Sequence, residues 1–120
     1  MKNKERKSFI PLKRKSDINN VFDKARVKRQ GGFTLRAIEN GVNITRLLII
    51  PMHGYGNAVE RNLLKRRVRE SFRHCENLIP GYDIVIAVNK VEKENDYFTL
   101  KSKIERLLMH NNLITRGIDI

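Results

Sequence analysis

Apolar residues recur along this chain with two different spacings, and each spacing predicts a different element. Residues 33–38 alternate between apolar and polar, as in a strand with one buried face. Residues 44–50 and Tyr82–Val88 are apolar almost throughout, which is typical of strands in the middle of a sheet. Asn40 and Gly41 lie between the first two of these strands and predict a tight turn. Pro51 should end the second strand.

Three other stretches carry apolar residues three or four positions apart and predict amphipathic helices. The first follows Ser16, which should be its N-cap. The second begins near Asn57 and stops before Pro80. Asn95 or Asp96 should cap the third. The apolar face of the first helix consists of Ile18, Val21, Phe22 and Ala25, and that of the third consists of Leu100, Ile104, Leu107 and Leu108.

The connecting segments are basic or rich in glycine. Residues 1–15 form a basic N-terminal arm with few apolar anchors, and residues 26–30 read as a basic loop. Residues 52–56 are a glycine-rich connector that could continue as a third short strand. The order of elements is therefore α-β-β-β-α-β-α. It predicts one α+β domain over residues 1–120, with three helices against a small, mostly antiparallel sheet of about four strands.

The second helix carries a row of cations beside its apolar stripe. Arg61, Lys65, Arg69 and Arg73 recur at every fourth residue, with Asn62 and Arg66 on the same side. A second row of Leu64, Val68 and Phe72, with Cys75 beside it, should face the core. Like charges at this spacing repel, so folding stability does not explain the cluster. A solvated charged face is the simplest interpretation of most such helices, but one-sided, arginine-rich charge favours contact with nucleic acid.

The composition supports a polyanionic partner. The chain has 120 residues, with 25 Lys and Arg against 13 Asp and Glu, a net charge of +12 and a pI near 10.3. This charge suits a phosphate backbone. No apolar run reaches the roughly 20 residues that span a bilayer, and no secretory signal is evident, so we expect a cytoplasmic protein without a membrane partner.

The residue types that carry protein-based catalysis or metal binding are sparse. Cys75 is the single cysteine, which excludes an internal disulfide and predicts a small core residue. His53, His74 and His110 lack the spacing of a metal site or a catalytic pair, and the acidic residues are scattered. We therefore expect neither a catalytic residue nor a metal ligand in the protein itself.

The turn and helix together identify a family resemblance. Residues 56–70 read Gly-Asn-Ala-Val-x-Arg-Asn-x-x-Lys-Arg-x-x-Arg-Glu, which resembles the signature of the bacterial ribonuclease P protein subunit. The similarity extends over about residues 9–115. It implies a ribosomal S5 domain 2-like fold with a left-handed βαβ crossover. It also implies a subunit of an endoribonuclease whose catalytic RNA removes the 5′ leader of precursor tRNA, with magnesium bound mainly by that RNA and no DNA partner.

The resemblance also assigns residues to two surfaces. Contact with the catalytic RNA is implied for Gly56, Asn57, Arg61, Asn62, Lys65, Arg66, Arg69 and Arg73, with Ala58 helping to shape the turn. A cleft for the single-stranded leader is implied for Ile18, Phe22, Thr34 and Arg36. Ile18 and Phe22 could equally be core residues.

This chain departs from the family pattern at several of these places. Leu63 stands where the family usually has an arginine. The RNA contact of that arginine should be either missing or made by Arg67 instead. Met52, His53 and Gly54 replace a polar, lysine-rich segment. Ile18 and Arg36 replace positions that are commonly aromatic in the cleft, which should alter leader preference.

Other functions remain open from the residues alone. A ribosomal or other structural RNA-binding protein would share the size, charge and basic helix. A DNA-binding module is disfavoured because a glycine-rich segment precedes the basic helix where a helix-turn-helix needs another helix. A nuclease in its own right would need clustered carboxylates or a histidine pair.

Overall fold

A computed structural model describes residues 8–114, which form a five-stranded sheet and three α-helices. The strands are β1 (Phe9–Pro11), β2 (Val27–Gln30), β3 (Phe33–Glu39), β4 (Thr45–Pro51) and β5 (Tyr82–Val88). The helices are α1 (Lys15–Lys24), α2 (Ala58–Arg73) and α3 (Tyr97–His110), and a short 3-10 turn, Lys90–Glu92, precedes α3. The predicted α+β class is confirmed.

The sheet is mixed, with the strand order β1-β4-β5-β3-β2. The pairs β1–β4 and β4–β5 are parallel, whereas β5–β3 and β3–β2 are antiparallel. The prediction of about four mostly antiparallel strands was therefore wrong in number and in pairing. The turn at Asn40 and Gly41 joins β3 to β4, but β5 lies between these two strands. The α2 connection links parallel neighbours, as the resemblance implies, and the handedness of this crossover stays a prediction.

The two edge strands account for the miscount. β1 lies within the predicted arm, where Phe9 and Leu12 are buried at 8% and 2% exposure, while residues 1–7 of that arm lie outside the described part of the chain. β2 lies within the predicted basic loop and has three exposed residues out of four. Both strands are short and depend on pairing with a neighbour. Residues 52–56 form turns, so the suggested third short strand there was wrong.

Two of the three predicted helix starts are confirmed. Asn57 caps α2 and Asp96 caps α3, each with its side chain accepting a backbone N–H. Ser16 lies inside α1, which begins at Lys15 behind Arg14, and no side chain caps this helix. The prediction for Ser16 was wrong because the helix begins one residue before it. Packing of Val21 and the contact between Asp17 and Arg46 hold α1 on the sheet.

The helices cover both faces of the sheet. The larger core lies between one face of the sheet and the helices α2 and α3. As predicted, this core buries Leu64, Val68, Phe72 and Cys75. α1 covers the other face, where Val21 packs with Leu12 and Val85. Burial raises the pKa of the Cys75 thiol to about 11, in keeping with a core residue. No helix within residues 8–114 has the length and apolar character to cross a membrane.

Candidate nucleic-acid interface

The turn before α2 is built around a reciprocal cap. The Asn57 side chain accepts the Glu60 N–H at 2.9 Å, and the Glu60 carboxylate accepts the Asn57 N–H at 2.9 Å. A side chain at Gly56 would collide with that carboxylate, so glycine leaves the space the cap needs. The pKa of Glu60 is lowered, mainly by the hydrogen bond from the Asn57 backbone N–H. Lys93 lowers this pKa further, with its Nζ 3.0 Å from Glu60 Oε2. This cap fixes where the cationic row of α2 begins.

The predicted cations of α2 lie on its outer side and on the side next to β1. Arg61, Arg66 and Arg69 are exposed, and Lys65 is half-buried. Lys65 and Arg69 line a groove whose opposite wall is formed by β1. None of these four cations forms a salt bridge with a carboxylate of residues 8–114. Their charge is therefore available to a polyanion.

Two other predicted residues differ in their surroundings. Asn62 is exposed and continues the row of donors. Arg73 is paired with Glu70, with Nη1 at 2.7 Å from Oε1, although 57% of its side chain stays exposed. Since part of its charge is neutralised, Arg73 should contribute less to binding a phosphate than Arg61 or Arg69.

Arg67 lies on the same flank of α2 as Leu63, where the family pattern has an arginine. Both residues lie on the other flank of α2, where they line a pocket of about 270 Å³ with Tyr55 and Glu92. Arg67 Nη1 donates to the Asn95 carbonyl oxygen at 3.4 Å, towards the loop before α3. Leu63 and Arg67 are four positions apart and share this flank, so Arg67 as a substitute for the missing arginine stays a prediction.

The other candidate surface lies between α1 and the sheet. Arg36 stacks on Phe22, with Cζ 4.6 Å from the ring centroid. Phe22 is 43% exposed, whereas Ile18 is half-buried against the small core beneath α1. Thr34 lies on the same face of β3 as Arg36 and is half-buried. The four predicted cleft residues thus share one face, and Phe22 is an exposed platform rather than a core residue.

The pairing register extends this face to residues that the sequence did not indicate. Val27 is opposite Arg36 and Arg29 is opposite Thr34, so their side chains leave the same face of the sheet. Both residues are exposed. They were missed because residues 26–30 read as a loop. Residues 27–30 contain one apolar residue and no apolar alternation, so no signal in the sequence distinguishes this strand from a loop.

An ionic network fixes α1 against the sheet. Arg46 on β4 binds the buried Asp83 carboxylate through two hydrogen bonds, at 2.7 and 2.9 Å. Hydrogen bonding to Asp83 raises the pKa of Arg46. Arg46 Nη1 also lies 3.4 Å from the Asp17 carboxylate on α1, and Asn40 donates to Asp83 at 2.9 Å. The cleft between α1 and β3 is therefore held by charged contacts as well as by Val21.

A second polar cluster holds the β2–β3 turn. The Glu92 carboxylate accepts the Gly32 N–H at 2.7 Å and is 2.8 Å from Lys103 Nζ on α3. Asn95 donates to it at 2.7 Å. Burial opposes ionisation of Glu92, but the hydrogen bonds from Lys103, Gly32 and Asn95 outweigh burial and lower its pKa. A side chain at Gly32 would overlap Val91 and Glu92, so this approach needs glycine.

Candidate metal ligands are dispersed in this region. Across residues 8–114, no three His, Cys, Asp or Glu side chains come together as they would around a metal ion. The two candidate surfaces instead present cations, amides, a hydroxyl and one exposed aromatic ring. These groups bind phosphates and bases.

Comparisons with known proteins point to one family. The family model described as Ribonuclease P matches residues 6–111. The ribonuclease P protein component of Petrotoga mobilis is 34% identical over 102 residues, which cover 81% of this chain and 86% of that protein. The corresponding protein of Thermotoga maritima is 33% identical over 102 residues, with 81% and 87% covered.

Solved structures agree with the fold. The RNase P protein from Thermotoga maritima superposes with a TM-score of 0.75 at 30% identity, covering 83% of this chain and 96% of that one. The RNase P protein of Staphylococcus aureus superposes with a TM-score of 0.79 at 22% identity, covering 92% of this chain and 100% of that one. At that identity the second likeness concerns the fold alone.

Proposed function

This chain belongs to the ribonuclease P protein family, and from that premise we propose how its two surfaces serve the enzyme. It is the protein component of ribonuclease P, it associates with ribonuclease P RNA and it acts in processing the 5′ end of tRNA. The family match favours this function over a ribosomal or other structural RNA-binding protein. In our proposal, α2 binds the catalytic RNA and the cleft beside α1 binds the leader of precursor tRNA.

The row of unpaired cations on α2 is the observation that carries the first assignment. Arg61, Arg66 and Arg69 are exposed without an internal carboxylate partner in the described chain, and Lys65 lies beside them. Arginine donates in a planar fork that fits phosphate oxygens. The exposed amide of Asn62 adds a group that can hydrogen-bond a base edge or a ribose. Such a row supports docking on folded RNA.

The second assignment depends on the platform formed by Phe22 and Arg36. Single-stranded nucleic acid is commonly held by an aromatic face for a base and by cations that follow the backbone. Arg36 and Arg29 supply the cations along β3 and β2, and Thr34 lies between them. This surface lies across the sheet from α2. One protein molecule can therefore contact the catalytic RNA and the leader at the same time.

We assign the cleavage chemistry and its magnesium ions to the RNA. The groups that this chain presents neutralise phosphates and position a strand, and they are not the groups that activate water. By binding phosphates the protein should release counterions and lower the magnesium concentration at which the complex is active. Because mature tRNA has no leader, the cleft should also favour precursor over product, which supports turnover.

Cleavage of precursor tRNA tests the proposal directly. A bacterial ribonuclease P RNA would be assayed at low, near-physiological magnesium, with and without this protein, together with the protein alone. We expect strong stimulation by the protein and no cleavage without the RNA. Cleavage by the protein alone would place the chemistry in the chain and overturn the assignment. Failure to stimulate, with tight binding to ribosomal RNA, would favour a structural role.

A further inference from the structure

A groove with an apolar wall and a cationic rim lies between β1 and α2. We propose that this groove binds one unpaired nucleotide of ribonuclease P RNA, with the base on the apolar wall and a phosphate on the rim. The inference rests on the proposed function and extends it to a base contact. The groove measures about 290 Å³, and its lining includes Phe9, Pro11, Leu12, Leu47 and Ile49 with Lys13, Lys65 and Arg69.

The apolar wall follows from the register of the edge strand. Phe9 and Pro11 pair with Thr45 and Leu47, so these side chains lie on the face of the sheet that α2 covers. Phe9 is fixed by an edge-to-face contact with Phe72, at 5.6 Å between ring centroids. Pro11 is exposed at the mouth of the groove. The wall is therefore fixed at Phe9 and open to solvent at Pro11, where a base could pack against it.

The cationic rim comes from two parts of the chain. Lys65 and Arg69 project from α2, and Lys13 projects from the residues that follow β1. None of the three forms a salt bridge within residues 8–114. No residue lining the groove is acidic, so the rim attracts an anion without internal competition. A phosphate attached to a base in the groove meets this requirement.

The pocket on the other flank of α2 provides a contrast. It has a similar size, about 270 Å³, but its lining includes three carboxylates, Glu60, Glu92 and Glu94, beside the two cations Arg67 and Lys93. Those carboxylates would repel a phosphate. The N-terminal residues of this chain are also poor occupants of the β1–α2 groove, because residues 1–7 carry four cations and one acidic residue. Charge complementarity therefore favours RNA.

A bound base accounts for the apolar wall of the groove, which a phosphate contact alone would not need. Phosphates alone need cations, and the exposed row of α2 already supplies these. The apolar wall beside Lys65 and Arg69 adds a surface for an unstacked base, which is how proteins usually read single-stranded parts of folded RNA. We expect the base to come from the catalytic RNA, because the cleft for the precursor tRNA leader lies on the opposite face of the sheet.

Ultraviolet crosslinking of the assembled complex tests this inference. Natural bases crosslink only to side chains that they touch, so a phosphate contact gives no adduct. After irradiation and digestion with nuclease and trypsin, mass spectrometry would search for a nucleotide on the peptide of residues 8–13. The peptide of residues 94–101 is the control, because it carries Phe98, which is 76% exposed on α3.

We expect an adduct on residues 8–13 with ribonuclease P RNA alone, and none on residues 94–101. An adduct that appears only when precursor tRNA is added would assign the groove to the substrate and overturn the proposal. A complex that forms and stimulates cleavage without an adduct on residues 8–13 would also overturn it, while leaving the proposed function intact. Failure to form a complex would instead contradict the proposed function.

A pair of lysine variants provides a second measurement. Lys13→Ala removes a rim charge, whereas Lys15→Ala removes an exposed charge two residues away that does not line the groove. We expect Lys13→Ala to weaken RNA binding by roughly three- to tenfold, as for one lost phosphate contact. Lys15→Ala should change it much less. Equal effects would show a general loss of charge and contradict a specific site.

Discussion

Arg36 Cζ lies 4.6 Å from the centroid of the Phe22 ring, which joins the strand β3 to the helix α1. One face of the ring is occupied by the guanidinium, yet 43% of the residue remains exposed. A cation–π contact of this kind holds the ring in a fixed orientation. Phe22 is thus presented to solvent as a positioned platform.

Phe22→Ala should lower the affinity for precursor tRNA while leaving assembly with the catalytic RNA unchanged. Loss of one base–aromatic stack typically costs about 1–3 kcal/mol. Affinity for mature tRNA should not change, because it has no leader. Equilibrium binding of the holoenzyme to matched precursor and mature tRNAs measures this difference.

Phe98→Ala is the matched control for this prediction. Phe98 is also an exposed aromatic residue on a helix, at 76% exposure, but α3 covers the other face of the sheet. We expect it to bind precursor as the unmodified chain does. The cleft assignment would be wrong if both variants bound precursor tRNA equally weakly. It would also be wrong if Phe22→Ala no longer assembled with the catalytic RNA.

Arg61→Ala and Arg69→Ala should each weaken binding to the catalytic RNA. Each change removes a cation that has no internal partner in the described chain, so the loss should appear mainly as a lost phosphate contact. The slope of log affinity against log salt should fall by about 1 for each contact. Titrations at several salt concentrations measure both the affinity and this slope.

Arg106→Ala is the control for the two arginine variants. Arg106 is exposed on α3, away from the cationic row. It carries the same charge, so any effect of net charge alone should be common to all three variants. A loss with Arg106→Ala as large as with Arg69→Ala would indicate that the whole basic surface binds RNA and that α2 has no special role.

Asn57→Ala should destabilise the protein by about 0.5–2 kcal/mol through loss of the cap on α2. Gly56→Ala should act on the same cap, because the added methyl group displaces the Glu60 carboxylate. The two changes should therefore be less than additive when combined. Urea unfolding of the single and double variants measures this. Fully additive losses would show that Gly56 has a separate role.

The helix α2 and both of its rows could be predicted from the sequence because helical periodicity is local. Leu64, Val68 and Phe72 are buried, and Arg61, Arg66 and Arg69 are exposed, as their spacing requires. The same periodicity places Arg67 on the flank with Leu63, as observed. The cap at Asn57 was also predictable, since it depends on residues only three positions apart.

The edge strands could not be predicted because their stability is not local. Residues 27–30 read Val-Lys-Arg-Gln, which has no apolar alternation strong enough to distinguish a strand from a loop. They become a strand because β3 offers a free edge, and β1 likewise depends on β4. The resemblance assigned Phe22 and Arg36 to one cleft, but their stacking depends on how α1 packs on the sheet.

The buried carboxylate of Glu92 holds the β2–β3 turn against α3. Its pKa is lowered in the folded protein relative to its ordinary value of 4.5. The unfolded chain therefore takes up this proton more readily than the folded chain does. It follows that Glu92 contributes stability above about pH 4.5, and that this contribution is lost as the pH falls through the folded-state pKa.

Glu92→Gln should consequently destabilise the protein at neutral pH, by about 1–3 kcal/mol for the charged hydrogen bonds to Lys103 and the Gly32 N–H. The difference from the unmodified chain should shrink as the pH falls below 4.5, because Glu92 is then becoming neutral as well. Glu94→Gln, at an exposed neighbouring position, should show little effect at either pH. Urea unfolding across this pH range measures the difference, and a destabilisation by Glu92→Gln that stayed constant with pH would show that the charge of Glu92 does not stabilise the fold.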